Sequence, residues 1–178
     1  MLAIDPGYAK REQGCACARF AEGVLVAVRF ARVTDAPDVA WMPDGAPPLR
    51  VVVERPQVDR RTRGREVAVV NLAWEGAALA YWIAGATDAA VTELTPTQWK
   101  GSARKPQHHA RLWSILYEPE RRMLGGDRTR TVIEAAKRAG AAERWRRGGG
   151  AAYYPSGFAM HNILDAVGLG CFALGRLS

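Results

Sequence analysis

The chain begins with the stretch Met1-Leu2-Ala3-Ile4-Asp5-Pro6-Gly7, a short apolar segment that ends on a carboxylate at a tight turn. A second stretch, Leu49-Arg50-Val51-Val52-Val53-Glu54-Arg55-Pro56, repeats this order of apolar run, acid and proline. Both runs predict buried β-strands, and a charge at the end of such a strand is costly unless something binds it. Sites in open α/β sheets form at the carboxyl ends of strands. If the two strands are neighbours, Asp5 and Glu54 lie side by side there.

A third acid, Asp165, falls in an apolar helical pattern that predicts a helix over residues 160–174. Packing of that helix on the sheet would bring Asp165 to the same point. Crowded carboxylates stay ionised at lower cost when a cation sits between them, and oxygen ligands suit Mg²⁺ or Mn²⁺ rather than zinc. The pattern therefore predicts a metal site for phosphodiester hydrolysis. The alternative is three separate roles, in which Asp5 caps a turn, Glu54 pairs with Arg55 and Asp165 lies on a helix surface.

Length and charge limit the classes of protein to consider. The chain has 178 residues, which suits a single domain over residues 1–178. Lys and Arg number 25 against 18 Asp and Glu, a formal net charge of +7. This surplus favours a polyanionic partner, nucleic acid before an anionic membrane surface, although a basic solvated surface is the alternative. We expect no signal peptide and no apolar run long enough to cross a bilayer, hence a cytoplasmic protein without a membrane partner.

Cysteine and histidine positions argue against a disulfide framework and a zinc site. Cys15, Cys17 and Cys171 lack the paired spacing that zinc sites require, so we expect buried, reduced thiols. His108 and His109 are neighbours on a predicted helix, where adjacent side chains diverge by about 100°. A zinc-binding pair is therefore not expected.

Periodicity and turn signals predict an α/β fold, with a five-stranded mixed sheet flanked by helices. Glu22-Gly23 is a hairpin signal, Gly125-Gly126 separates two predicted helices, and residues 34–48 are expected to form a loop. The predicted strands cover residues 2–5, 14–20, 24–33, 50–54 and 89–94. The predicted helices cover residues 66–85, 106–117, 128–146 and 160–174, and Thr95-Pro96 opens a further helical turn.

The motifs, taken in order, resemble the RuvC-like Holliday junction resolvases of the RNase H-like superfamily, in particular the compact phage-type members. The resemblance covers nearly the whole chain and rests on Ala3-Ile4-Asp5-Pro6-Gly7, Val53-Glu54-Arg55-Pro56, Trp99-Lys100-Gly101 and His161-Asn162-Ile163-Leu164-Asp165-Ala166. It implies one RuvC-like nuclease domain with an RNase H-like fold. The implied activity is that of a homodimeric, Mg²⁺-dependent crossover junction endodeoxyribonuclease of DNA recombination and repair, which cuts four-way junctions with paired incisions.

The resemblance also implies roles for individual residues. Asp5, Glu54 and Asp165 would bind the metal ion, with a fourth position, held by Asp or His in the family, one helical turn before the last acid. His161 and Asn162 both share a helix face with Asp165. We prefer His161, because imidazole binds metal or helps to activate water, whereas the amide of Asn162 offers only a weak carbonyl ligand. The choice stays open, as does a purely structural role for His161.

Basic residues beside the predicted site are candidates for binding DNA. The resemblance implies that Lys100 is catalytic, because the family places lysines here that contact phosphates near the scissile bond. Residues 55–65 hold five arginines against one acid, as is typical of a loop that grips DNA backbone. For Lys100, Arg104 and Lys105 a solvated loop is the alternative. Residues 144–147 surround Trp145 with arginines, and Trp145 is either a base-stacking residue or a core anchor. The predicted DNA-binding residues are Arg55, Arg60, Arg61, Arg63, Arg65, Lys100, Arg104 and Lys105.

The predicted helix at residues 66–85 is the candidate for part of a dimer seam. Its residues Trp74, Tyr81 and Trp82 are expected to line either the core or that seam, and a two-fold dimer suits a symmetric four-way junction. A less selective branched-DNA or flap nuclease would share the same acids. A catalytically inactive RNase H-like DNA-binding module is a further alternative. An actin- or sugar-kinase-like ATPase would need glycine-rich phosphate loops that the sequence does not show.

Overall fold

The fold comes from a computed structural model that describes residues 1–6, 14–42, 45–58, 63–142, 154 and 158–177. Within these ranges the strands are Leu2–Asp5 (β1), Cys15–Ala21 (β2), Val24–Ala31 (β3), Arg50–Glu54 (β4) and Ala90–Leu94 (β5). The α-helices there are Ala36–Ala40 (α1), Glu66–Thr87 (α2), Pro96–Trp99 (α3), Lys105–Ile115 (α4), Glu118–Met123 (α5), Gly126–Ala142 (α6) and Met160–Ala173 (α7), and Val33–Asp35 form a 3-10 helix.

The strands form one mixed sheet in the order β3-β2-β1-β4-β5. Strands β1, β4 and β5 run parallel, whereas β2 pairs antiparallel with both β1 and β3. The turn between β2 and β3 consists of Glu22 and Gly23, whose φ angles of 49° and 81° are both positive, as a type I′ hairpin turn requires. The predicted α/β class, with a five-stranded mixed sheet flanked by helices, is therefore confirmed.

Helices cover both faces of the sheet because the central strands are apolar on both sides. One face packs on α1 and α2 and the other on α4 and α7. Ala3 and Val52 belong to the side of α7. Successive strand residues point to opposite faces, so Asp5 and Glu54, two positions further on, point to the same side as Ala3 and Val52. The sheet therefore directs both acids toward α7.

The close approach of α7 to the sheet depends on glycine. A Cβ at Gly170 would clash with Cε2 of Phe20, a buried side chain of β2. A Cβ at Gly168 would lie 2.9 Å from both Nε2 of His108 and Cζ3 of Trp99. A larger side chain at either position would push α7 away from the sheet, together with the acid that this helix carries.

Two helices lie where the sequence predicted none. The prediction of a loop over residues 34–48 is wrong in its first part, which forms most of the 3-10 helix and all of α1. Pro37 lies in the first turn of α1, where its fixed φ and missing N–H are tolerated. Similarly, Pro119 lies in the first turn of α5, which separates the two helices expected on either side of Gly125-Gly126. Residues 143–146 of the predicted helix over 128–146 lie outside the described residues.

One side of α2 is apolar yet exposed. Val67, Val70, Trp74 and Tyr81 are all more than half exposed, and Trp74 reaches 77%. The buried side of the helix is formed instead by Gly76, Leu79, Ala80 and Ile83. Of the two predicted locations for Trp74, Tyr81 and Trp82, the core is therefore wrong. The other location, a dimer seam, stays a prediction.

The same helix is long and apolar enough to cross a membrane, contrary to the expectation from the sequence. Length and composition alone meet this criterion, and core helices of soluble proteins also meet it. The buried side of α2 packs against β4 and α1.

We expect Gly170→Ala to destabilise the fold by about 1–3 kcal/mol, because the added methyl group overpacks the contact with Phe20. Gly85→Ala is the matched control, since Gly85 is an exposed residue of α2 and no described atom lies within 4 Å of its Cβ position. There alanine should stabilise the helix by up to about 1 kcal/mol. Urea unfolding measures both effects. Equal stability of Gly170→Ala and the unmodified chain would contradict the close approach of α7.

Candidate active site

Two of the predicted acids meet at the ends of neighbouring parallel strands. Strands β1 and β4 pair in register, with Ile4 opposite Val53, so Asp5 and Glu54 are the next residues along the pair. Both side chains point toward α7, and the two residues are only 4% and 8% exposed. The sheet therefore buries two carboxylates side by side.

The third acid comes from α7. Ile163 and Val167 anchor this helix in the apolar cluster under the sheet, and Asp165 between them is 3% exposed. Burial raises the pKa of Asp5 well above its usual range, and the charges of Glu54 and Asp165 raise it further. The structure thus brings the three predicted carboxylates into one interacting group.

Glu54 is held by side chains from the segment that follows β5. Thr95 and Gln98 form a capping box that begins α3, in which the Thr95 N–H donates to Oε1 of Gln98 at 2.7 Å. This short helix presents Trp99 and Lys100. Trp99 Nε1 donates to Oε2 of Glu54 at 2.8 Å, and Lys100 Nζ donates to the same oxygen at 3.2 Å. Burial opposes the charge of Lys100, but the three nearby carboxylates outweigh burial and raise its pKa, so the ammonium group stays charged.

Asp165 is held by two residues of α4. Lys105 Nζ forms an ion pair with Oδ2 of Asp165, and His109 Nε2 hydrogen-bonds Oδ1 at 3.0 Å. Burial alone would raise the pKa of Asp165, but the positive charges of Lys105 and Lys100, with the hydrogen bond from His109, hold it well below its usual range. Asp165 is therefore ionised. Lys105, predicted to bind DNA, contacts the acidic group itself.

A buried histidine and a tyrosine extend this network away from Asp165. His109 is 0% exposed, and its Nδ1 lies 2.6 Å from the hydroxyl of Tyr154. Burial lowers the pKa of His109 and raises the pKa of Tyr154, so the imidazole is neutral and the phenol keeps its proton. Because an ionised carboxylate only accepts, Nε2 of His109 carries the ring proton, and Nδ1 accepts from Tyr154.

Both candidates for the fourth position lie beside Asp165. His161 Nδ1 accepts from Lys105 Nζ at 3.1 Å, and the His161 ring stacks on Tyr154 with centroids 5.6 Å apart. Burial and the charge of Lys105 lower the pKa of His161 to about 4, so the ring is neutral at physiological pH. Asn162 is buried and hydrogen-bonds His161. Of the two candidates, His161 is thus the one that contacts Lys105. The choice between His161 and Asn162 stays open.

The predicted DNA-binding arginines lie in three different settings. Arg55 is exposed and forms an ion pair with Glu93 at 3.4 Å. Arg63 and Arg65 are exposed before α2, and Arg104 is partly buried before α4. The remaining predicted residues, Arg60, Arg61 and the cluster at residues 144–147, lie outside the described residues.

The carboxylates of the candidate site are ligands of the kind that divalent cations prefer, although they are not arranged as a complete coordination shell. Among the described residues no group of three His, Cys, Asp or Glu side chains has the arrangement that holds a metal ion. Instead, Lys100 forms an ion pair with Glu54, and Lys105 forms an ion pair with Asp165. Asp5 is different, because no hydrogen bond from the described residues reaches its carboxylate. Burial and the charges of Glu54 and Asp165 disfavour its ionised form more than Lys100 and Lys105 favour it. A cation accepted by carboxylate oxygens would remove that penalty. The predicted metal ligands are Asp5, Glu54, Asp165 and His161.

Sequence reasoning missed Trp99, His109 and Tyr154 as members of this network. Helical spacing carried a signal for one of them, because His109 lies on the same face of α4 as Leu112 and Trp113, which are buried. A polar residue on an apolar face needs a partner. No sequence signal identifies Tyr154, whose contact with His109 spans 45 positions.

No model of a known protein family matches the sequence, and no curated protein matches it.

We expect Asp5→Asn to raise the free energy of unfolding by about 0.5–2 kcal/mol when a chelator is present at pH 8, because the change removes one of three repelling charges. Mg²⁺ should raise the urea midpoint of the unmodified chain and have little effect on the variant. Asp88→Asn, at an exposed residue after α2, is the matched control and should change stability by less than about 0.5 kcal/mol. A destabilised Asp5→Asn variant in chelator would show that Asp5 supports the fold rather than a cation.

Proposed function

We propose that this protein is an RNase H-like, RuvC-like endonuclease that cuts four-way DNA junctions as a homodimer and requires Mg²⁺, with Mn²⁺ able to replace it. One observation carries the proposal. Asp5, Glu54 and Asp165 are buried together at one end of parallel strands, beside two lysines. Such a group is costly to stability and is explained by a catalytic use. The observed five-stranded mixed sheet flanked by helices supports the proposal, because an RNase H-like fold has a sheet of this kind.

The chain supplies both the ligands and the positive charge that this chemistry needs. Asp5, Glu54 and Asp165 would hold the ion, with His161 beside them. When bound, the ion supplies Lewis-acid activation of water and neutralises charge on the phosphodiester. Lys100 is the side chain suited to a phosphate oxygen, because its charged ammonium group contacts Glu54 and its side chain is more exposed than that acid. Trp99 keeps Glu54 oriented through its 2.8 Å hydrogen bond.

DNA binding and dimerisation are supported by charge and by the exposed side of α2. A net charge of +7 favours a polyanion, and exposed Arg55, Arg63 and Arg65 lie after β4 or before α2. The exposed side chains of Trp74 and Tyr81 suit a seam with a second copy. Two copies related by a two-fold axis carry two sites, as paired incisions require.

The test is a cleavage assay with labelled four-way junction, flap and linear duplex, in Mg²⁺ and in chelator. We expect Mg²⁺-dependent cleavage of the junction in preference to the other two. Asp165→Asn should lower the rate at least about 10²-fold while junction binding in chelator persists, because the loss falls on the reaction rather than on the basic surface. Asp88→Asn is the control.

The same assay decides between the candidates for the fourth position. His161→Ala should lower the rate more than Asn162→Ala, because imidazole is the better ligand and proton acceptor. Preference for the flap would assign the less selective activity, and binding without any cleavage would assign an inactive DNA-binding module. Undiminished cleavage by Asp165→Asn would contradict the proposed metal site.

A further inference from the structure

A buried line of hydrogen bonds runs from Tyr154 through His109 to Asp165, and neither Tyr154 nor His109 has a role in the proposed reaction. We propose that His109 is a positioning residue, which fixes the carboxylate of Asp165 for metal binding, and that Tyr154 fixes the orientation of His109. This inference rests on the proposed function, because Asp165 is treated as a ligand of the ion.

The direction of each hydrogen bond follows from the groups that form it. A carboxylate has no proton to give, so the bond of 3.0 Å between His109 and Asp165 places a proton on Nε2. The hydroxyl of Tyr154 lies 2.6 Å from Nδ1, where it donates to the remaining ring nitrogen. Tyr154 therefore selects the tautomer in which His109 donates to Asp165. Such partners of metal-binding side chains orient them and tune their affinity.

The two carboxylate oxygens of Asp165 have partners that differ in how freely they can move. Oδ2 contacts Lys105, whose side chain is partly exposed and ends in a flexible ammonium group. Oδ1 contacts His109, which is fully buried on α4. Lys105 is able to leave toward solvent, whereas the buried ring of His109 has no such freedom. His109 is thus the partner that keeps Asp165 oriented when charges around the acids change.

Packing around Tyr154 restrains the far end of this line. The Tyr154 ring stacks on His161, with centroids 5.6 Å apart, and on Phe158, with centroids 5.4 Å apart. His161 and Asp165 both lie on α7, one turn apart. Tyr154 therefore contacts His161 directly and Asp165 through His109.

Two substitutions of His109 show whether the hydrogen bond donated to Asp165 matters, or only a buried polar side chain at this position. Glutamine at position 109 places its amide nitrogen near the position of Nε2 and is able to donate to Asp165. Asparagine is shorter, so its amide lies near the position of Nδ1, within reach of Tyr154 but not of Asp165. We expect His109→Asn to weaken Mn²⁺ binding about 10–100-fold in calorimetric titration, and His109→Gln to restore it to within about threefold of the unmodified chain.

Tyr154→Phe provides a milder variant, because it removes one hydroxyl and keeps the aromatic stacking. Nitrogen NMR of labelled histidine should show the Nε2–H tautomer of His109 in the unmodified chain without metal. In Tyr154→Phe we expect a mixture of tautomers and Mn²⁺ binding weakened about tenfold. Thr129→Val is the control, since it removes another buried hydrogen bond, from Thr129 to the carbonyl oxygen of Leu124. It should lower the urea midpoint and leave Mn²⁺ affinity unchanged.

The outcomes separate this inference from the function on which it rests. Weaker Mn²⁺ binding by His109→Asn and Tyr154→Phe, with rescue by His109→Gln, supports it. Equal Mn²⁺ affinity of Tyr154→Phe and the unmodified chain, or an Nδ1–H tautomer in the unmodified chain, overturns the positioning role alone. Absence of Mn²⁺ binding by the unmodified chain overturns the proposed function together with it.

Discussion

Repulsion among three buried carboxylates is the constraint on which the site depends. Glu54 and Asp165 each have cationic partners, Lys100 and Lys105, whereas no described residue donates a hydrogen bond to Asp5. Burial and the charges of Glu54 and Asp165 raise the pKa of Asp5, whereas the charges of Lys105 and Lys100 and the hydrogen bond from His109 lower the pKa of Asp165 despite its burial. Neighbouring acids whose surroundings push their pKa values apart are characteristic of catalytic sites. The unequal surroundings of these acids therefore support the proposed catalytic use.

The architecture serves to hold these charges at fixed positions. Parallel pairing of β1 with β4 sets Asp5 beside Glu54, and glycines at 168 and 170 let α7 approach closely enough to add Asp165. Lys100, directly after α3, and Lys105, in α4, then supply the charges that neutralise the acids. Each contribution comes from a rigid element, which limits how far the carboxylates can separate to relieve their repulsion. The stability lost there is offset by apolar packing on both faces of the sheet.

Sequence patterns were sufficient where residues act through local order. The valine run of β4 and the turn at Glu22-Gly23 fix strands and hairpin, and the acids follow from their places at strand ends. Local order was insufficient for α1 and α5, whose first-turn prolines are equally typical of loops. Local sequence patterns also do not reveal hydrogen-bonding partners that are distant in the chain. Buried Glu120, for example, accepts hydrogen bonds at 2.7 Å from both terminal guanidinium nitrogens of Arg176 and one at 2.8 Å from the N–H of Leu25.

Anomalous diffraction from crystals grown with Mn²⁺ tests the central claim most directly, because it locates the ion independently of any assay. The account predicts an anomalous peak bound by carboxylate oxygens of Asp5, Glu54 and Asp165, with the ammonium groups of Lys100 and Lys105 displaced from those oxygens. A structure at saturating Mn²⁺ with no peak among these acids, and with both lysines still on Glu54 and Asp165, would contradict it.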